Sequence, residues 1–151
     1  MGVRIAVDFG TVRVGVAKSD PAGKIALPLT TITGDELAVE KLVQLTTNEA
    51  AQVVYVGLPL NLKGQVTQSA KKALSFAEEL SRKIAPIPVL MIDERFTSTT
   101  ATKQLQDAGL TSRQSRGLVD QVSALGLLEQ ALQIEDRTGT LAGSPPADWD
   151  F

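Results

Sequence analysis

Val3, Ile5 and Val7 alternate with Arg4, Ala6 and Asp8, and the alternation breaks at Phe9-Gly10-Thr11. A period of two is the signature of a strand with two unlike faces. Val14, Val16 and Ala17 open a second strand after the turn, so the pair reads as a hairpin. Asp20-Pro21-Ala22-Gly23 is another turn, and a third strand runs from Ile25 towards Ile32.

The pattern then changes. Thr33 and Glu36 fit a capping box, and a helix carrying Leu37, Leu42 and Leu45 follows to about Ala50. Val53–Val56 is a buried strand that stops at Gly57, and a long helix spans about Gln65 to Ile84. Pro88 to Ile92 is the next strand, ending at Asp93-Glu94. Thr97 or Ser98 caps a helix to Ala108, and Thr111 with Gln114 caps a last helix to about Ile134. A hairpin feeding strand–helix–strand crossovers predicts an α/β fold, a mixed five-stranded sheet with helices on both faces. One domain is expected over 1–135, with 136–151 a flexible C-terminal tail rich in Gly and Pro.

The 151 residues include no Cys and no His. Disulfides, zinc sites built on thiolate or imidazole, and a Ser-His-Asp triad are excluded. Acid–base or metal chemistry must rest on other groups, and carboxylates suit Mg2+ or Mn2+. No apolar run is long enough for a bilayer or a secretory signal, so a cytoplasmic protein without membrane partners is expected. Net charge is −2, which argues against a nucleic-acid partner. Four acids and one base lie from Glu135 onward, however, and the rest of the chain carries +1.

Three acids stand where chemistry is placed. Asp8 ends an apolar strand, at the edge where open α/β sheets bind ligands; the alternative is an Asx-turn into Gly10. Asp93 and Glu94 end a second strand, and neighbours on a strand face opposite ways. Geometry alone does not choose between them, and the alternative for Glu94 is a salt bridge to Arg95 or a cap for the helix after Thr97. Asp120 shares a helix face with Ala124, Leu127 and Ala131, which draws it towards the sheet; the alternative is a surface pair with Arg116. Three converging carboxylates repel unless a cation joins them. Two divalent ions at one site can activate water and stabilise a leaving oxygen of a phosphodiester.

Four segments, Asp8-Phe-Gly-Thr-Val-Arg-Val-Gly-Val-Ala17, Gly57-Leu-Pro-Leu60, Asp93-Glu-Arg-Phe-Thr97 and Val119-Asp-Gln-Val122, resemble the YqgF family in order and spacing. The family is also called RuvX, or Holliday junction resolvase-like. The resemblance covers about residues 3–134. It implies an RNase H-like fold and nuclease action on the precursor of 16S ribosomal RNA, with the ribosome as a further partner. It assigns Asp8, Glu94 and Asp120 as metal ligands and catalytic acids, and so selects Glu94 over Asp93. Arg13 matches the family's hairpin arginine and is assigned to a substrate phosphate, the alternative being a strand-edge salt bridge. Asn61 and Lys63, in the loop after Gly57, and Arg95 are placed with the substrate backbone, the alternative for the loop being a plain strand-to-helix connector. The segment before the last acid, Thr111-Ser-Arg-Gln-Ser-Arg-Gly117, carries fewer bases than in many relatives, which weakens that segment as an RNA contact. Three acids are also fewer than the four common in RNase H-like nucleases.

Three other readings remain. An Asp-x-Gly-Thr hairpin also resembles the phosphate loop of actin-like kinases, but 151 residues leave no room for their second lobe. A non-catalytic RNA-binding assembly factor would keep the acids. Holliday junction resolution shares the chemistry and normally requires a dimer; the sequence is compatible with a monomer or a homodimer.

Overall fold

Each element follows from its local pattern. The computed structural model describes residues 2–10, 12–60, 63, 65–93 and 112–149, and for 112–120 the helical backbone alone. The strands are β1 (Val3–Phe9), β2 (Arg13–Ser19), β3 (Ala26–Thr33), β4 (Ala51–Leu58) and β5 (Val89–Asp93). The helices are α1 (Ala38–Asn48), α2 (Gln68–Ile84) and α3 (Ser112–Thr138). The sheet order is β3-β2-β1-β4-β5. The β1–β2 and β2–β3 pairs are antiparallel, whereas β1–β4 and β4–β5 are parallel. The carboxyl ends of β1, β4 and β5 therefore share one edge.

The pleat divides the core in two. Ile5 and Val7 of β1, Val14 and Val16 of β2, Val54, Val56 and Leu58 of β4, and Val89 and Met91 of β5 pack with α1 and α2. Ala6, Ala17, Val53, Tyr55 and Ile92 pack with Ala124, Leu127, Leu128 and Ala131 of α3. Small residues at positions 6 and 17 let α3 lie close to β1 and β2. Phe9 faces the other way and stacks on Phe76 of α2, with ring centroids 4.5 Å apart.

One cap differs from the expectation. Thr33 does not cap α1, because its backbone is taken up in the sheet opposite Arg13. Asp35 instead accepts a hydrogen bond from the Leu37 amide at 2.9 Å, and the helix begins at Ala38. The α2 helix is capped by Thr67, whose hydroxyl accepts from the Ala70 amide and donates to the Pro59 carbonyl, both at 3.1 Å. That links the helix start to the connection leaving β4. The expected helix over 97–108 and the Thr111 cap lie outside the described residues.

Residues 136–149 form defined contacts in the structure. The α3 helix runs on to Thr138, and the chain reverses at Gly139, whose φ of +75° suits glycine. Ser144 then pairs with Met91 on the β5 edge, and Trp149 donates its indole N–H to Ser144 Oγ at 2.9 Å. An uncovered strand edge offers unpaired amides and carbonyls, and this segment occupies part of that edge. A polar cluster fixes the end of α3. Arg4 holds Glu135 at 3.0 Å, with side chains only 11% and 12% exposed. The Tyr55 hydroxyl donates to the other Glu135 oxygen at 2.8 Å and accepts from the Ala142 amide at 3.3 Å.

Burial, and then the Glu135 carboxylate, push the Tyr55 phenol well above its ordinary value of 10.0. Above that value the unfolded chain gives up the proton and the folded chain keeps it, so stability falls as pH rises. The urea midpoint should decline from about pH 9 to 11, and less steeply for Tyr55→Phe. Ionisation of the single tyrosine near its ordinary value in still-folded protein, read by ultraviolet absorbance, would contradict this.

Candidate active site

Asp8 is the penultimate residue of β1 and lies directly across from Gly15 of β2. Gly15 in turn lies across from Thr31 of β3. On the other side, Val7 pairs with Val56, which sets Gly57 level with Asp8. Alternation from Ala6 puts Asp8 on the α3 face. A carboxylate thus stands on that face between two buried glycines, and neither neighbour supplies a side chain to fill the space beside it.

The edge of α3 is tied to the same row. Gln121 donates its amide to Thr31 Oγ1 at 2.9 Å. Asp120 lies in the same helical turn, one turn before Ala124; its side chain lies outside the described residues. Ser123, 1% exposed, has a hydroxyl with no hydrogen-bond partner.

The pleat also separates the two candidates at the end of β5. Leu90 and Ile92 face α3, whereas Val89 and Met91 face α1 and α2. Asp93 pairs with Leu58, which belongs to the α1–α2 side. Asp93 therefore lies on the face opposite to Asp8. Glu94, Arg95 and Asn61 lie outside the described residues. Arg13 opens β2 and, by alternation from Gly15, shares the face of Asp8. Lys63 is exposed on the β4–α2 connection. Among the described residues, no group of three or more acidic side chains comes together as a metal site. Of the three expected acids, Asp8 is the one whose side chain is described.

Gly15, Gly57, Thr31, Gln121 and Ser123 were not among the residues expected from sequence. The two glycines carried a signal, since each interrupts an apolar strand. The other three required the sheet register and the seating of α3.

The profile of a family described as RuvX, Holliday junction resolvase, matches residues 2–134. This chain belongs to the RuvX family. A Mycobacteroides abscessus relative named "Putative pre-16S rRNA nuclease" is 42% identical over 147 residues, 95% of this chain and 89% of the relative. One of the same name from Streptomyces avermitilis is 42% identical over 144 residues, covering 94% and 92%. Among solved structures, T. thermophilus RuvC in complex with a Holliday junction substrate superposes with a TM-score of 0.60 at 15% identity, covering 95% of this chain and 99% of that one. A second T. thermophilus RuvC structure gives 0.56 at 14% identity, covering 93% and 99%. The fold is thus RNase H-like, and the RuvX family is one of nucleases, hydrolases of phosphodiester bonds. No described helix is long and apolar enough to cross a membrane.

The turn that carries Asp8 into β2 depends on Gly10, where an added Cβ would lie 2.5 Å from the Arg13 carbonyl oxygen. Gly10→Ala should therefore lower stability by about 1–3 kcal/mol in urea unfolding, as overpacking does. An unchanged midpoint would show that the turn is looser than described.

Proposed function

We propose that the chain is a divalent-metal-dependent nuclease acting in the cytoplasm on the precursor of 16S ribosomal RNA, with Asp8, Glu94 and Asp120 as ligands of Mg2+ or Mn2+. The observation that carries this reading is the placement of Asp8 on the α3 face between Gly15 and Gly57. Strands lie about 4.8 Å apart, so roughly 10 Å separates β1 from β5 across β4. Gly57 keeps the intervening strand free of a side chain. A hard cation at that edge would be held by Asp8 of β1 with Glu94 and Asp120.

Asp93 is on the wrong face for such a set, which supports Glu94 as the β5 ligand. The helix position of Asp120, beside a Gln121 anchored to the Asp8 row, supports it as the third. Bound there, such an ion supplies positive charge to the scissile phosphate and acidifies the attacking water. The chain's own residues then do the rest. Asp8 offers a hard oxygen ligand, the glycines admit the phosphate, and Arg13 on the same face orients a phosphate oxygen. Lys63, with Asn61 and Arg95, serves the nucleic-acid backbone.

A four-way DNA junction is the second reading, favoured by the RuvC-like fold. It would call for two copies of the site in a homodimer, whereas a monomer suffices for RNA. The test compares precursor RNA and junction DNA, with Mg2+ or Mn2+ and with chelator. Wild type should cleave RNA only with metal, and Asp8→Asn should lose at least about 100-fold, as expected when charge stabilisation is removed. Equal cleavage by Asp8→Asn, or cleavage in chelator, would refute the proposal, and preference for the junction would select the second reading.

A further inference from the structure

Hydroxyls buried in these helices are otherwise satisfied at once. Among the described residues Thr46 is the buried case, donating to the Leu42 carbonyl at 2.7 Å, and the exposed Thr47 and Thr138 also use the carbonyl four residues back. Ser123 has the same option and does not take it: its Oγ is fully buried and has no partner. Leaving such a group unpaired costs about 1–3 kcal/mol.

The helix geometry shows where that hydroxyl lies. At 3.6 residues per turn, Gln121 and Ser123 are about 200° apart, on opposite flanks of α3. Gln121 reaches outward to β3, through Thr31. The flank of Ser123 is therefore turned towards β1 and β4, the strands of Asp8 and Gly57. Along the axis Ser123 is only about 3 Å from the level of Gln121, which is the level of the Asp8 row. Ser123 thus sits on the flank away from Thr31, about one turn after Asp120.

We propose that Ser123 Oγ is a further polar contact of the divalent-ion site, paired when the hydrated ion enters; the inference rests on the metal reading above. Ser123 is a positioning residue: it orients the ion's surroundings and takes no proton. Hydrogen-bonding partners of this kind tune metal affinity by about tenfold or more.

Mn2+ titration calorimetry of chelator-treated protein tests this, with metal-free thermal unfolding alongside. Ser123→Ala should be at least as stable as wild type without metal, because an unpaired buried hydroxyl is removed. Its Mn2+ affinity should be weaker by about tenfold, and Asp8→Asn should not bind measurably. If Ser123→Ala binds within about twofold of wild type while Asp8→Asn does not, the role of Ser123 falls and the metal site stands. Wild-type protein that takes up no Mn2+ overturns both. A clear loss of metal-free stability in Ser123→Ala also overturns the role, since the hydroxyl would then have a partner within the protein.

Discussion

α3 lies on a floor of small side chains, Ala6 and Ala17, and polar contacts fix it at two levels. Near its start Gln121 bonds Thr31 of β3, and near its end Glu135 meets Arg4 of β1 and Tyr55 of β4. Between them Ala124, Leu127, Leu128 and Ala131 are sealed against the sheet. Burying one such leucine contributes about 1.5–3 kcal/mol, so the apolar seam provides most of the adhesion. The polar contacts set the register. Sliding the helix by one turn would break both of them and carry Asp120 about 5.4 Å from the row of Asp8.

That seating explains how an acidic chain can present a nucleic-acid site. The net charge of −2 is not spread evenly in function. Glu135 is neutralised locally by Arg4, and Glu49 and Glu40 are paired with Lys18 and Lys83. Asp8 is held on a face flanked by glycines, with Arg13 on that same face. A cation gathered by the acids would reverse the local sign of charge, which a phosphodiester requires.

Strand alternation, turn chemistry and the helix face of Ala124, Leu127 and Ala131 made the fold class legible from sequence, because each is a local pattern tied to one period. Cap positions were less legible. Thr33 looks like an N-cap by composition, but sheet pairing with Arg13 takes its backbone first. The tail read as loose because Gly139, Gly143 and Pro145 are turn residues. Its Ser144 docks on β5 through backbone pairing that no side-chain pattern announces. The face of Asp93 was not legible from sequence and needed the register of β5 against β4. Ser123 was invisible for a similar reason, since an unpaired hydroxyl is a property of packing and not of residue type.

The central claim is that divalent metal gathers on the α3 face at Asp8 and not on the α1–α2 face. Paramagnetic broadening of amide signals by Mn2+ measures this directly, because the effect falls steeply with distance. The account requires that Asp8, Gly15, Gly57 and Ser123 broaden first, while Ser75 and Phe76 on the opposite face remain sharp. Early broadening at Ser75 and Phe76, with Gly15 and Ser123 unaffected, would contradict it.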